Sequence, residues 1–419
     1  MKKAAFSLAM GIAVLVVGEL LLQLLAAFFP SVAVVLGPGA SPTINDPILG
    51  VRLNPALLWN DSAGFRNASR PEHARIVAIG DSHTQGYSVA REHAWPQLLQ
   101  AKTGLTTYNM ACGGYGTAHY LLLTQEALAL RPDLIIIGFY AANDLADTFM
   151  LVYDRGQLPD LKTHDAAALE RINDAMRSAR PLTEAWEQTR DAARGGGFLL
   201  FARDSLSVHS KLYGFVRALH RWSRAEDRAG DVQRTVTDWR RIRRLVSRVN
   251  PDLLFAVERG AVRTVLTPRG RLIDQNDPRI QEGLRMSLGA LRRIRERADG
   301  QARVLVLLIP TKELVFFEWV KKHSRALPQA LLHLGANESA IWVTVKDYLD
   351  RNGIDWIDAL PAMRACLDQG RNPYFIDDDG HSSTYGYECI ADLLPSSDAV
   401  QRLLSTEVQP GMDVIQAHP

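Results

Sequence analysis

Arg75-Ile76-Val77-Ala78-Ile79-Gly80-Asp81-Ser82 decides how the rest of the chain is read. A short apolar run stopped by Gly80 is the pattern of a β-strand with both faces covered. Gly80 permits a tight strand-to-helix turn. Ser82 would then stand at the strand's carboxyl end, with its hydroxyl toward solvent and its own N–H free to face an oxyanion. Taken alone, the stretch also fits a plain helix N-cap.

The same signature recurs outward from it. A second strand is expected at 105–109, a third at Asp133-Leu134-Ile135-Ile136-Ile137-Gly138, a fourth at 302–309 and a fifth at 354–358. Helical patterns separate them, around 93–102, 118–130 and 280–298, where Leu284, Leu288, Leu291 and Ile294 mark one face at helical spacing. Strands alternating with helices predict an α/β fold with a parallel sheet covered on both sides.

Ligands of such sheets bind at the carboxyl ends of the strands, so each end is asked what it delivers. After Ser82, the second delivers Asn109-Met110-Ala111-Cys112-Gly113-Gly114-Tyr115-Gly116, whose glycines allow close backbone approach. A dinucleotide loop is a poor reading, because His119 stands where the third glycine of G-x-G-x-x-G belongs. The third strand delivers Asn143-Asp144, and an asparagine there can aim its amide at a developing oxyanion. The loop after the fifth strand carries Asp377-Asp378-Asp379-Gly380-His381, ahead of a helix at about 385–394. A carboxylate two or three residues before a histidine can hold one imidazole nitrogen while the other takes a serine proton. The three consecutive aspartates keep a metal site open as the alternative.

Ser, Gly, Asn and Asp/His, in that order and each at a strand end of one sheet, resemble the four blocks of the SGNH (GDSL-like) hydrolases, over about residues 70–150 and 300–400. Gly64-Phe65-Arg66 is similar to a lead-in of secreted bacterial members. The resemblance implies a flavodoxin-like three-layer α/β/α fold. It makes Ser82 the nucleophile and His381 its base, with the Ser82 and Gly114 N–H groups and the Asn143 amide for the oxyanion. The family's common spacing favours Asp378 as the acid; members resembling alginate O-acetyltransferases put it two before the histidine, at Asp379. Here Gly-Asp-Ser-His replaces the frequent Gly-Asp-Ser-Leu, so His83 shapes the pocket entrance or lies on a helix surface. Asp144 is expected to hold structure. Pro310-Thr311-Lys312 is similar to an element of envelope-glycan acetyl-transfer relatives, which leaves Lys312 at the site rim or simply at a helix start.

Length and composition bound what remains. The 419 residues exceed one ordinary domain, so an insertion or a second domain is expected. With 48 basic against 46 acidic residues there is no concentrated basic charge to suggest nucleic acid as a partner. Lys2 and Lys3 precede an apolar stretch to Phe29, broken only by Ser7, Glu19 and Gln23, which is long enough to cross a bilayer. The charge bias puts the N-terminus inside and the rest outside; a long, late-cleaved export signal is the alternative. Glu19 is costly in a span unless protonated or faced by a partner helix. The expected organisation is an anchor at 1–30, a lead-in linker at 31–72, the hydrolase domain at 73–400 with a polar helical insertion at about 151–279, and a tail at 401–419. The arginine-rich stretch 239–249 reads as a solvated helix face. Of the three cysteines, Cys366 and Cys389 are the pair to join outside the cytoplasm, if they are not free buried thiols.

The implied chemistry is acyl transfer without metal or organic cofactor. Its substrate is an acylated small molecule or glycan, most simply an O-acetyl ester outside the cytoplasm. An O-acyltransferase and a non-catalytic glycan-binding protein are the alternatives.

Overall fold

The computed structural model describes residues 2–36, 42–178, 182, 210–216, 239, 240, 242–267, 270–324 and 326–407. Two short strands, β1 (Thr43–Asp46) and β2 (Gly50–Leu53), form an antiparallel hairpin. The central sheet contains β3 (Ile76–Gly80), β4 (Thr107–Ala111) and β5 (Leu134–Phe139). A second hairpin is made by β6 (Phe255–Arg259) and β7 (Val262–Leu266), and β8 (Arg303–Leu308) and β9 (Asp355–Asp358) complete the sheet. The sheet is parallel throughout, in the order β4-β3-β5-β8-β9. All five expected strands are therefore present, shifted by two residues or fewer.

Strand residues alternate between two cores. Val77, Ile79, Ile135, Ile137, Val306 and Leu308 face one, under the helices Thr117–Leu128, Ala141–Tyr153, Pro278–Ala298 and Gln329–Arg351. Ile76, Ala78, Leu134, Ile136, Leu305 and Leu307 face the other, under Trp95–Thr103, Lys312–His323, Ala359–Asp368, Thr384–Leu393 and Asp398–Glu407. A period of two with both faces apolar is why the strands read as unbroken hydrophobic runs. Each buried Val, Leu or Ile contributes about 1.5–3 kcal/mol. The result is a three-layer α/β/α sandwich. Because β3 connects to β4 on one side and the chain then crosses to β5 on the other, a crevice opens at the carboxyl ends of β3 and β5.

Segments on either side of the sheet domain pack against it, and the insertion contains a hairpin. The lead-in is part of the domain from Thr43 onward: Leu49, Leu53 and Phe65 join the core. The buried Asp61 carboxylate accepts from the Tyr108 hydroxyl at 2.7 Å and from Asn67 Nδ2 at 2.9 Å, tying this segment to β4. The polar composition of 31–72 thus reflects internally satisfied turns as well as solvent. At the other end, Asp398–Glu407 continues as a helix past residue 400 and buries Leu403; residues 408–419 lie outside those described. Within the insertion, the β6–β7 hairpin was not expected, and residues 242–246 are helical as read. Its turn is Gly260-Ala261, with Gly260 at φ 59°.

At the N-terminus one helix, Lys2–Phe28, contains a 20-residue stretch from Ala9 to Phe28 long and apolar enough to cross a membrane, a property an export signal shares. Glu19 within it has partners: it accepts from Gln23 Nε2 at 2.9 Å, Ser210 Oγ at 3.0 Å and the N–H groups of Lys211 and Leu212 at 2.8 Å. The last three come from the insertion, whose residues 211–216 are helical.

A disulfide joins Cys366 to Cys389, across a sequence separation of 23, and Cys112 is free and buried. It links Ala359–Asp368 to Thr384–Leu393, the two helices that flank the loop carrying His381.

Candidate active site

β3 ends at Gly80, and Asp81 caps the short helix Ser82–Gln85 by accepting the His83 N–H at 2.9 Å. Both readings of this stretch hold at once: the aspartate is a helix cap, and the serine next to it is presented at the crevice. Gly80 pairs with Gly138 on β5. A Cβ on either would come within 2.1 Å of Thr84 Oγ1, so the two glycines make the room that lets the helix turn down onto the strand ends.

Ser82 and His381, 299 residues apart, meet here: Ser82 Oγ lies 2.8 Å from His381 Nε2. His381 Nδ1 lies 2.7 Å from Asp379 Oδ1, which also accepts the His381 backbone N–H at 2.9 Å. It is Asp379, not the favoured Asp378, that reaches the imidazole. At two residues' separation the side chain folds back over its own turn, while Asp378 is exposed among the residues lining the cavity and has no hydrogen bond to the imidazole. Burial alone would raise the Asp379 carboxyl, but hydrogen bonds and charge from His381, with Lys312 nearby, hold it below the usual carboxylate range. Such an arrangement fixes the imidazole tautomer and leaves Nε2 to accept a proton from Ser82. No group of three or more His, Cys, Asp or Glu side chains among the described residues is placed to hold a metal ion.

Donors for a negative oxygen are less fully assembled. Ser82 occupies the first position of its helix, where the N–H has no intrahelical acceptor. Gly114 takes φ 84°, a conformation natural to glycine, and among the described residues its N–H has no protein partner. Gly113 instead donates to Gln85 Oε1 at 2.9 Å. Asn143 lines the pocket, donates one amide proton to Asp147 Oδ2 at 2.8 Å, and has no partner for Oδ1. Burial pushes the Asp147 carboxyl up to about 8. Asp144 is structural: its two oxygens accept from the Tyr120 hydroxyl at 2.8 Å and the Tyr140 N–H at 3.1 Å.

His83 lines the cavity and is not on a helix surface. It is 3% exposed, its ring stacked 4.7 Å from that of His381 and tilted against that of Tyr140 at 3.8 Å. Burial, then the charge of His381, pushes its pKa well down, so this histidine stays neutral beside the other.

The cavity over Ser82 has a volume of about 260 Å³. Thr267, Leu272 and Ile273, from the end of the insertion, form part of its wall. They were not anticipated, because the segment carries no motif; the alternating pattern of 255–266 was the available signal for its hairpin. β7 continues this role: the Val265 N–H donates to Ile376 O at 3.1 Å and Thr264 Oγ1 to Phe375 O at 3.0 Å, so the hairpin braces the loop that leads to His381.

The model of the GDSL-like lipase/acylhydrolase family matches residues 78–389, most of the chain and all of the residues just described. The chain belongs to this family. It is a GDSL-type hydrolase, with the parallel five-stranded sheet and flanking helices of that group. No curated protein sequence matches it. Solved structures similar to it include a GDSL-like lipase from Bacteroides thetaiotaomicron, 11% identical, covering 80% of this chain and 89% of that one, with a TM-score of 0.32. Another is an α/β hydrolase from the metagenome of Lake Arreo, Spain, 12% identical, covering 79% and 96%, with a TM-score of 0.33.

Proposed function

We propose that this GDSL-type hydrolase cleaves short-chain acyl esters, most simply O-acetyl groups on an extracytoplasmic glycan, with Ser82 as nucleophile, His381 as general base and Asp379 as the carboxylate that orients it. The observation that carries the reading is the unbroken hydrogen-bonded line from Ser82 Oγ through both nitrogens of His381 to Asp379. His381 Nε2 takes the Ser82 proton as Oγ attacks the ester carbonyl, and the oxyanion rests on the N–H groups of Ser82 and Gly114 and the Asn143 amide. The imidazolium then returns its proton to the departing alcohol. Water, activated by the same nitrogen, releases the acyl group.

Substrate size and location have separate support. A cavity of about 260 Å³ is below the roughly 300–1,000 Å³ of pockets that enclose whole drug-sized ligands. It suits a short acyl group with the bulk of the alcohol outside. The apolar N-terminal helix preceded by Lys2 and Lys3 favours a domain held outside the cytoplasm. The disulfide fits that compartment.

The test is the intact mass of the full-length protein after treatment with a fluorophosphonate, alongside turnover of a small acetyl ester with and without an added carbohydrate acceptor. Stoichiometric labelling at Ser82, lost in His381→Ala, with turnover independent of acceptor, is expected. Turnover that appears only with acceptor would make the protein an O-acyltransferase. A folded protein that neither labels nor turns over ester would leave a glycan-binding role.

A further inference from the structure

Lys312 opens the helix Lys312–His323, directly after β8 and behind the pocket wall. It is one of the largest wholly buried side chains among the described residues, at 1% exposure, so its ammonium cannot touch a substrate in the cavity. The sequence left it between a rim residue and an ordinary helix start. It does start the helix, and its ammonium has partners beyond it.

Nζ donates to three main-chain carbonyls: Phe375 at 3.0 Å, Asp377 at 2.7 Å and Asp379 at 3.1 Å. An ammonium has three protons, and all three are spent on alternate residues of one loop. That loop bears Asp379 and, two residues on, His381. Main-chain carbonyls that converge need a donor, and of these three only Phe375 O has a second one among the described residues, the Thr264 hydroxyl at 3.0 Å.

We propose that Lys312 is a positioning residue whose ammonium gathers the 375–379 carbonyls into the turn that sets the Asp379 carboxylate against His381. The inference rests on the proposed roles of Ser82, His381 and Asp379. It adds a requirement those roles do not contain: beside the bonds from the β6–β7 hairpin, the loop needs the full set of Lys312 ammonium donors to keep its working shape. The groups facing the ammonium are Glu313 on its own helix and Asp377, Asp378 and Asp379 on the loop; Glu338, from the neighbouring helix Gln329–Arg351, holds the adjacent Thr311. Burial outweighs these carboxylates and lowers the Lys312 pKa to about 8. Above that pH the amine has two protons for three carbonyls.

The experiment is the pH profile of kcat for a small acetyl ester in the full-length wild type, Lys312→Met and Lys312→Arg. Met keeps the stem and removes the donors. Its kcat is expected to fall on the order of 10²-fold, the scale for a misplacement of about 1 Å, with KM little changed. In the wild type the rate should decline above about pH 8. In Lys312→Arg, which stays protonated, that decline should move upward or vanish. A merely structural lysine would lower the amount of folded protein without moving the alkaline limb.

A folded Lys312→Met with wild-type kcat overturns the proposal. So does a wild-type rate that stays level into the ordinary lysine range, or an alkaline limb unchanged in Lys312→Arg; this last comparison decides the matter if the Met variant does not fold. Failure of the underlying reading looks different: Ser82→Ala would then keep its activity whatever Lys312 does.

Discussion

Asp379 holds His381 at two points, its Oδ1 accepting the ring Nδ1–H at 2.7 Å and the main-chain N–H at 2.9 Å. The double attachment locks the side chain to its own turn and leaves one tautomer, with Nε2 bare toward Ser82. Asp379→Ala should therefore reduce kcat by about 10²–10⁴-fold, the range associated with losing the orienting carboxylate. Asp378→Ala, at an exposed position on the cavity's lining without a bond to the imidazole, should cost far less. Steady-state kinetics on both variants settles it, and the reverse ranking would assign the orienting role to Asp378.

Asn143 is buried, at the crevice, and without a partner for its Oδ1. Its Nδ2 is steadied by Asp147 one turn along the same helix. If the remaining amide proton serves the oxyanion, Asn143→Ala lowers kcat by about 10²–10³-fold while leaving the melting temperature nearly unchanged. An unaltered kcat in the folded variant removes Asn143 from the mechanism.

Much of this site was legible beforehand, and the reason is geometric. A parallel strand buried on both faces writes itself as an apolar run, so the ends of β3, β5, β8 and β9 could be placed within two residues, and chemistry at such ends follows the fold. Ser82, Asn143 and His381 came from that logic. What escaped were relations across sequence gaps with no periodic trace. Nothing local says that Thr264 and Val265 will brace residues 375 and 376, or that the Lys312 ammonium will find three carbonyls more than 60 residues away. The choice between Asp378 and Asp379 depends on one turn's dihedral angles, which spacing alone does not specify. In the segment 31–72 composition alone does not decide, because polar, Gly-rich sequence is shared by linkers and by hydrogen-bonded turns.

Several carboxyls are buried deeply enough for burial to raise their pKa: Asp81 to about 6, Glu338 to about 7, Asp147 to about 8, and Asp144 well above its ordinary value. In the unfolded chain all four titrate near 4. A raised folded-state pKa means the native protein binds more protons between those values, so its contribution to stability is full below about pH 4 and lost as pH climbs through 6 to 8. Denaturant midpoints should accordingly fall from pH 5 to about pH 7, before Lys312 loses its proton around 8. Asp147→Asn, a neutral mimic of the protonated acid, should flatten part of the slope. Midpoints that rise over this interval would contradict the assignment of these groups as protonated and buried.

The Cys366–Cys389 bridge closes a loop containing both Asp379 and His381. For a loop of this length the chain-entropy effect is about 3 kcal/mol. Reduction, or Cys366→Ser with Cys389→Ser, should lower the denaturant midpoint by a corresponding amount. The effect on activity should be smaller at temperatures where the protein stays folded, because Lys312 and the β6–β7 hairpin hold the loop independently of the bridge. Comparing kcat and unfolding midpoint in the same reduced sample separates the two. If kcat collapses while the midpoint hardly moves, the bridge itself sets the loop's geometry, and the share assigned here to the hairpin and the lysine must shrink.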